Sequence, residues 1–130
     1  MKENKFGLIV KHWLKANPQF TCVFETKQTD KESISFREIK QAQLDWALAI
    51  RSQKGVTMRI QAVAEGMPDY AYFRNTPSWI VIRFPKGFVW ISPDRFIAER
   101  DKSKKKSLTW SRAKDIATKT ILLRKEKASF

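Results

Sequence analysis

Residues 20–27, with the sequence FTCVFETK, constrain the fold of this chain more than any other segment. They form a mostly apolar stretch that ends in a glutamate and a lysine, Glu25 and Lys27, two residues apart. Residues i and i+2 of a β-strand point to the same face, so the two charged side chains should project side by side. A carboxylate on a core-facing side is costly to bury unless it is paired or bound to a metal. The segment therefore predicts a strand whose Glu–Lys pair holds a divalent cation and orients a water or a phosphate.

A helix is expected after this strand. Ser35 and Glu38 have the spacing of a capping box, which predicts a helix that begins there and runs to about Lys54. Gln43 falls on the apolar stripe of this helix, three residues before Trp46. An amide on that face needs a hydrogen-bond partner, and the simplest interpretation is a buried Gln that bonds to the main chain.

These features together resemble a known nuclease family. The strand ending in Glu-x-Lys, the Ser-Phe before the helix and the Ala-Gln-Leu at 42–44 are similar to the PD-(D/E)xK nuclease superfamily, in particular its Holliday-junction-resolvase-like branch from phages and bacteria. The resemblance covers residues 6–117, with specific matches at Glu25, Lys27 and Gln43. It implies an α/β fold with a mixed central β-sheet flanked by helices and a restriction-endonuclease-like core.

The same resemblance implies an activity, which is metal-dependent cleavage of DNA. Glu25, Lys27 and Gln43 are then the expected catalytic residues, and Gln43 faces the metal site. The implied cofactor is Mg²⁺ or Mn²⁺. The implied partner is DNA, branched as in a Holliday junction, and the implied assembly is a homodimer, because two symmetric nicks need two sites.

The second metal ligand departs from the family pattern. The acid of the Pro-Asp motif normally precedes the Glu-x-Lys strand, but before Glu25 this chain has only Glu3. Pro68 and Asp69 follow the strand instead, so we expect Asp69, ahead of Glu3, to bind the metal with Glu25. The aromatic strand 70–74 would bring Asp69 there by pairing beside the strand of Glu25. Two alternatives stay open: Pro-Asp also suits a turn, and an N-terminal Glu also complements a helix dipole.

Charge points to the same class of partner. The 130 residues carry 26 Lys and Arg against 13 Asp and Glu, a formal net charge of +13. A domain this basic usually contacts a polyanion, with nucleic acid ahead of a membrane surface or a solvated basic tail. No apolar run approaches the roughly 20 residues of a membrane span, so we expect no membrane partner. The expected nucleic-acid-binding residues concentrate late in the chain: Lys102, Lys104, Lys105, Lys106, Arg112 and Lys114.

The remaining composition bounds compartment and domain organisation. Cys22 and His12 are the only residues of their types, so neither an intrachain disulfide nor a Cys/His zinc site is expected. This fits a reducing compartment, and with the resemblance it predicts the cytoplasm of a bacterial or phage-infected cell. We expect one nuclease-like domain over residues 1–123 and a basic tail over residues 124–130.

Periodicity and turn signals predict the other elements. The expected helices lie at 3–16, at 93–101 and from about 109, and the expected strands at 56–64, 70–74, 79–84 and 88–91. Among the aromatic residues, Tyr70, Tyr72 and Trp79 are candidates for stacking on DNA bases, although a place in the core is the simpler interpretation.

Three classes of function remain at this point. The first is a metal-dependent endonuclease. The second is a non-catalytic nucleic-acid-binding protein on a degenerate nuclease fold, which the missing upstream acid favours. The third is a basic partner-binding accessory protein, which leaves Glu25, Lys27 and Gln43 unexplained.

Overall fold

A computed structural model of the chain describes residues 23–60 and 69–123, and the side chains of residues 26–57 and 72–123. The predicted helix at 3–16, with Glu3, and the basic tail 124–130 lie outside these residues. In chain order the elements are β1 (Val23–Gln28), β2 (Ser33–Ser35), a 3₁₀ turn (Phe36–Glu38), α1 (Gln41–Arg51), β3 (Val56–Ile60), β4 (Asp69–Phe73), β5 (Ser78–Phe84), β6 (Gly87–Ile91), α2 (Pro93–Lys102), β7 (Ser107–Thr109), α3 (Trp110–Ile116) and β8 (Lys119–Leu122).

Four strands form a mixed sheet in the order β1-β5-β6-β8. β1 runs parallel to β5, whereas β5–β6 and β6–β8 are antiparallel pairs. Two further antiparallel ribbons, β2–β7 and β3–β4, complete the described strands. The predicted mixed α/β class is therefore confirmed. None of the helices within the described ranges has the length and apolarity that crossing a bilayer requires.

The sheet is buried on both faces along β5 and β6. On one face Ile80, Ile82 and Phe84 pack with residues of the three described helices: Leu44 of α1, Phe96 of α2, and Trp110 and Ala113 of α3. On the other face Val81 and Trp90 are also almost fully buried. The two strands therefore read as near-continuous apolar runs rather than as alternating ones, which is why the hairpin is so clear in the sequence.

Helix α1 is attached to the start of β5 by polar contacts. The Ser78 hydroxyl donates to the main-chain oxygen of Ala47 at 2.6 Å, and Arg51 Nε donates to the main-chain oxygen of Ser78 at 3.0 Å. The Arg51 guanidinium also lies 4.8 Å from the centre of the Trp79 ring, which packs edge-on against Trp90 at 6.4 Å. These contacts hold α1 on the face of the sheet that carries Ser78, Ile80 and Ile82.

The start of α1 differs from the prediction. Ser35 does cap, but its hydroxyl accepts from the main-chain nitrogen of Arg37 at 3.2 Å and so begins the 3₁₀ turn, not the helix. Ile39 then adopts an extended conformation and is only 2% exposed, so its burial in the core separates the turn from the helix. The helix begins at Gln41, with Lys40 as the N-cap, and the predicted helix start at Ser35 was wrong.

The strand pairing of Asp69 also differs from the prediction. β4, which begins at Asp69, pairs with β3 in a separate ribbon, and the described neighbour of β1 is β5. Gly55 favours this arrangement: it has a positive φ of 74°, and a Cβ there would lie 2.3 Å from the main-chain oxygen of Phe73 in β4. The expectation that β4 pairs beside the strand of Glu25 was therefore wrong.

We predict that Gly87→Ala destabilises the sheet at the β6–β8 pairing. A Cβ at Gly87 would lie 2.3 Å from the main-chain oxygen of Ile121 in β8, so the strands would have to separate. The expected loss is about 1–3 kcal/mol in the free energy of unfolding, measured by urea denaturation. Lys86→Ala, an exposed neighbour, is the control and should change it by less than about 0.5 kcal/mol. Equal stability of Gly87→Ala and the unsubstituted protein would contradict the described register.

Candidate nucleic-acid interface

The lysine-rich loop after α2 is joined to the 3₁₀ turn by a main-chain hydrogen bond. Ribbon β2–β7 is extended by one bond, because the main-chain nitrogen of Phe36 donates to the oxygen of Lys106 at 3.0 Å. At the other end of the loop, the nitrogen of Ser103 donates to the oxygen of Glu99, and the nitrogen of Lys105 donates to the Ser103 hydroxyl. Phe36 and Lys106 are far apart in the sequence, and this bond makes them neighbours in the fold.

A basic cavity of 510 Å³ lies at this junction. Its polar lining comes from the 3₁₀ turn, the start of α1, the end of α2 and the lysine-rich loop. Phe36 and Ile39 also touch it, but both side chains are almost fully buried in the core. The described residues that line it include five cationic side chains and no acidic one: Arg37, Lys40, Arg100, Lys105 and Lys106, with Gln41. Such a concave cluster of one sign concentrates anions from solution.

Four of these five cations are uncompensated. Arg37, Lys40, Lys105 and Lys106 are exposed, and within the described part of the chain none of them makes a salt bridge. Arg100 differs, because its Nε lies 3.0 Å from Asp101 Oδ1 and its Nη1 donates to Gln41 Oε1 at 2.7 Å. Arg100 therefore joins α2 to the first turn of α1, and the other four remain available to an anion.

The six lysines and arginines predicted to bind nucleic acid fall into two groups. Lys105 and Lys106 line the basic cavity, and Lys104 is exposed beside them. The other three have partners in the protein. Lys102 lies 3.8 Å from Glu99, Arg112 pairs with Glu99, and Lys114 lies 5.3 Å from the centre of the Trp110 ring.

Three cavity cations were not predicted: Arg37, Lys40 and Arg100. Arg37 lies within the 3₁₀ turn and Lys40 is the N-cap of the following helix, and no sequence motif marked either residue as a binding residue. Arg100 reaches the cavity through its bond to Gln41, a residue 59 positions earlier. A contact of that range leaves no mark in a local sequence pattern.

Glu99 and Arg112 form a two-point contact that joins α2 to α3. Arg112 Nη2 lies 2.7 Å from Glu99 Oε1, and Arg112 Nε donates to Glu99 Oε2 at 3.1 Å. The Glu99 side chain is 7% exposed, whereas that of Arg112 is 45% exposed. The hydrogen bonds from Arg112 hold the pKa of the Glu99 carboxyl below its usual value, against the opposing effect of burial. Arg112 thus has a structural role.

The Glu-x-Lys segment lies in an uninterrupted strand. β1 runs through both positions, with Glu25 opposite Ile80 and Lys27 opposite Ile82 in the parallel register with β5. Partners in register share a face of the sheet, so Lys27, which is half-buried, lies on the face that α1 covers. Glu25 and Asp69 are placed by their strands alone, since their side chains are outside the described ones.

Gln43 lies at the third position of α1, on the same side of the sheet as Lys27. Its Oε1 accepts from the main-chain nitrogen of Lys40 at 3.0 Å, so it satisfies an N–H group at the start of the helix. The interpretation of Gln43 as a buried amide bonded to the main chain holds for the bond of its oxygen, but the side chain is only half-buried. The two described candidates for stacking on DNA bases have different surroundings. Tyr72 is 56% exposed and donates its hydroxyl proton to the main-chain oxygen of Lys54, whereas Trp79 is half-buried.

Over the side chains that the structure describes, no three His, Cys, Asp or Glu residues are grouped closely enough to hold a metal ion. Comparisons of the chain with protein-family models, with curated proteins and with solved structures gave no match.

We predict that Glu99→Gln destabilises the protein in a pH-dependent way. A carboxyl with a lowered pKa stabilises the fold above its unfolded pKa of about 4.3, and this contribution is lost as the pH falls through the folded value. Glu99→Gln should therefore lower the free energy of unfolding at neutral pH by about 1–3 kcal/mol, and the difference should shrink in acid. Urea unfolding of both proteins, from about pH 3 to about pH 7, measures this difference in the free energy of unfolding on both sides of the carboxyl pKa.

The control for this prediction is Asp101→Asn. Asp101 is 62% exposed and pairs only with its neighbour Arg100 among the described residues, so its removal should cost less than about 1 kcal/mol. A difference between Glu99→Gln and the unsubstituted protein that is constant with pH would contradict the assignment.

Proposed function

We propose that this protein is a metal-dependent DNA endonuclease that hydrolyses a phosphodiester bond at Glu25 and Lys27. One observation carries the proposal: both residues lie two apart in a single continuous strand, and Lys27 is half-buried on the face that α1 covers. Strand geometry then gives Glu25 the same face. The order of strand, polar loop and helix with Gln43 also matches the order in the nuclease superfamily that the sequence resembles.

We further propose that the mixed sheet and its helices are a restriction-endonuclease-like core. The supporting features are the four-stranded mixed sheet with one parallel pair, and the three helices that pack on one of its faces. In this interpretation β1 carries the reacting groups at the edge of the described sheet, and the buried β5–β6 hairpin holds β1 in place.

The donor set suits the implied cofactor. Glu25 and Thr26 are neighbours in sequence and would offer a carboxylate and a main-chain oxygen, and oxygen is the ligand type that Mg²⁺ takes. Asp69, ahead of Glu3, would supply a second carboxylate, because a strand end holds a ligand more firmly than a chain terminus does. It would do so from the separate β3–β4 ribbon and not from a strand beside β1. When bound, the ion would lower the pKa of a coordinated water and offset the negative charge of the phosphate.

The remaining roles fall to the protein's own residues. Lys27 offers an ammonium that orients the attacking water or compensates charge on the phosphate oxygens during displacement. Gln43, fixed at the start of α1 by its bond to Lys40, acts as a positioning residue for Lys27 or the water. The basic cavity and Lys104 offer contacts for the DNA backbone. Branched DNA as substrate and a homodimer as the active assembly follow from the resemblance alone.

A second candidate function is DNA binding without cleavage. The basic cavity favours it, because its cations attract phosphates without any metal. The lack of a Pro-Asp motif before Glu25 favours it as well. The two functions differ in one observable, which is the requirement for a divalent ion.

We predict that Glu25→Ala abolishes cleavage and leaves DNA binding intact or tighter, because it removes a metal ligand and a negative charge near phosphates. Lys27→Ala should reduce cleavage by about a hundredfold or more. The assay follows nicking of supercoiled DNA and of a four-way junction with Mg²⁺ or Mn²⁺, and with EDTA. Lys31→Ala, in the exposed loop after β1, is the matched control and should cleave normally. Undiminished cleavage by Glu25→Ala protein would refute the assignment of the site.

A further prediction concerns the second acid. Asp69→Asn should weaken Mn²⁺ binding and cleavage together, whereas Glu3→Gln should leave both unchanged, with affinity measured by calorimetry. Loss with Glu3→Gln alone would move the role to the N-terminal segment. If neither change matters and the unsubstituted protein binds no metal, DNA binding without cleavage is the better account.

A further inference from the structure

The β3–β4 ribbon, which is separate from the four-stranded sheet, has two unlike faces. The register sets Thr57 opposite Tyr72, so these two residues share one face. Positions 59 and 70, an arginine and a tyrosine, follow them along the same face. The opposite face takes the apolar positions 56, 58 and 60 of β3. The face of Thr57 and Tyr72 is therefore the polar face of the ribbon.

The described part of the polar face is open to solvent and cationic at its base. Thr57 is exposed, and Tyr72 is 56% exposed. Lys54 lies two residues before β3 and Arg74 directly follows β4, so these two exposed cations flank the base of the ribbon. Neither forms a salt bridge within the described part of the chain. Residues 53–57 and 72–76 include no acidic residue, so this surface attracts phosphates.

Hydrogen bonds hold the base of the ribbon to the carboxyl end of α1. The main-chain nitrogen of Asn75 donates to the oxygen of Ser52 at 3.0 Å. The Tyr72 hydroxyl donates to the main-chain oxygen of Lys54, which joins β4 to the segment before β3. The polar face is thus oriented relative to α1 before any partner binds, and this lowers the entropic cost of binding.

We propose that the polar face of the β3–β4 ribbon lies in the major groove of duplex DNA. The major groove is about 12 Å wide and admits a two-stranded ribbon. Thr57 and Tyr72 then face the base edges, where a hydroxyl can hydrogen-bond to a base and an aromatic ring can contact a thymine methyl group. Lys54 and Arg74 contact phosphates at the edges of the groove.

This proposal rests on the proposed function for the choice of DNA as the partner. It adds a contact with the base edges, which phosphate binding by the basic cavity does not supply. Helix α1 sets the spacing between the two contacts, because Lys40 and Gln41 of the cavity lie at its start and Ser52 holds the ribbon at its end. Its eleven residues span about 16 Å, and base pairs repeat about every 3.4 Å. The two contacts are therefore up to about five base pairs apart.

The test compares two duplexes of one sequence in EDTA, where no cleavage occurs, by fluorescence anisotropy. One duplex is unmodified, and the other carries glucosyl groups attached through C5 of its cytosines. These groups project into the major groove, as the C5-methyl group of thymine does, and leave the phosphates unchanged. The unsubstituted protein should bind the glucosylated duplex about tenfold or more weakly. Equal affinity for the two duplexes would overturn the proposal.

Substitutions assign this discrimination to the ribbon. Tyr72→Ala should bind the unmodified duplex more weakly and lose most of the discrimination, and Tyr72→Phe, which restores the ring, should recover most of it. Lys105→Gln/Lys106→Gln, in the basic cavity, should instead lose affinity for both duplexes by the same factor. Circular dichroism confirms the fold of each variant. Discrimination that Tyr72→Ala retains in full would contradict the groove contact.

The two flanking cations have a matched control. Lys54→Gln/Arg74→Gln should weaken binding of both duplexes and lower the salt dependence by up to about two phosphate contacts. Lys31→Gln/Lys86→Gln removes the same charge from exposed residues outside the ribbon and the basic cavity, and should change neither quantity. Equal losses by the two double variants would contradict the role of Lys54 and Arg74.

Failure of this proposal and failure of the endonuclease proposal give different results. A protein that nicks DNA with Mg²⁺ or Mn²⁺ but binds both duplexes alike would overturn the groove contact alone. A protein that discriminates between the duplexes but never nicks DNA would support the groove contact and contradict the endonuclease.

Discussion

The hairpin of β5 and β6 is buried on both faces, and its main-chain groups therefore need partners in the plane of the sheet. β1 supplies them on one side and β8 on the other. This requirement sets where the Glu-x-Lys segment lies, because β1 must follow β5 residue for residue, with Lys27 opposite Ile82. The candidate catalytic strand is thus positioned by the hydrogen-bonding needs of an apolar hairpin, and a rigid neighbour is what a reacting group needs.

The second organising contact is the ribbon of β2 and β7. It is only three residues long on each side, yet it brings the 3₁₀ turn after β2 to the lysine-rich loop before β7. The Arg100–Gln41 bond then joins α2 to α1 at the same place. The basic cavity results from these two long-range contacts. Arg112 and Lys102 do not line it and instead form ion pairs with Glu99. Net charge alone did not distinguish the two groups.

Local patterns predicted the elements whose residues carry their own signal. The β5–β6 hairpin shows continuous apolar strands around a Pro-Lys-Gly turn, α2 begins with Ser-Pro-Asp, and α3 follows Thr109, whose hydroxyl caps it. The short strands β2, β7 and β8 were not predicted, because they exist through pairing with distant segments. The predicted helix start at Ser35 was wrong for a related reason. The capping bond of Ser35 begins a 3₁₀ turn, and the helix begins only after Ile39, which is buried in the core. Of the candidate site, the sequence indicated Lys105 and Lys106 but not Arg37, Lys40 and Arg100.

The proposed endonuclease requires Glu25, Lys27 and Gln43 to converge on one metal site at the edge of the described sheet. The most direct measurement is a crystal structure of the protein soaked in Mn²⁺, with the ion located by its anomalous scattering. We expect an ion about 2.1 Å from a Glu25 oxygen, with Lys27 and Gln43 on the same side. Glu25 and Lys27 directed into bulk solvent away from Gln43, with no ion bound at Glu25, would contradict it.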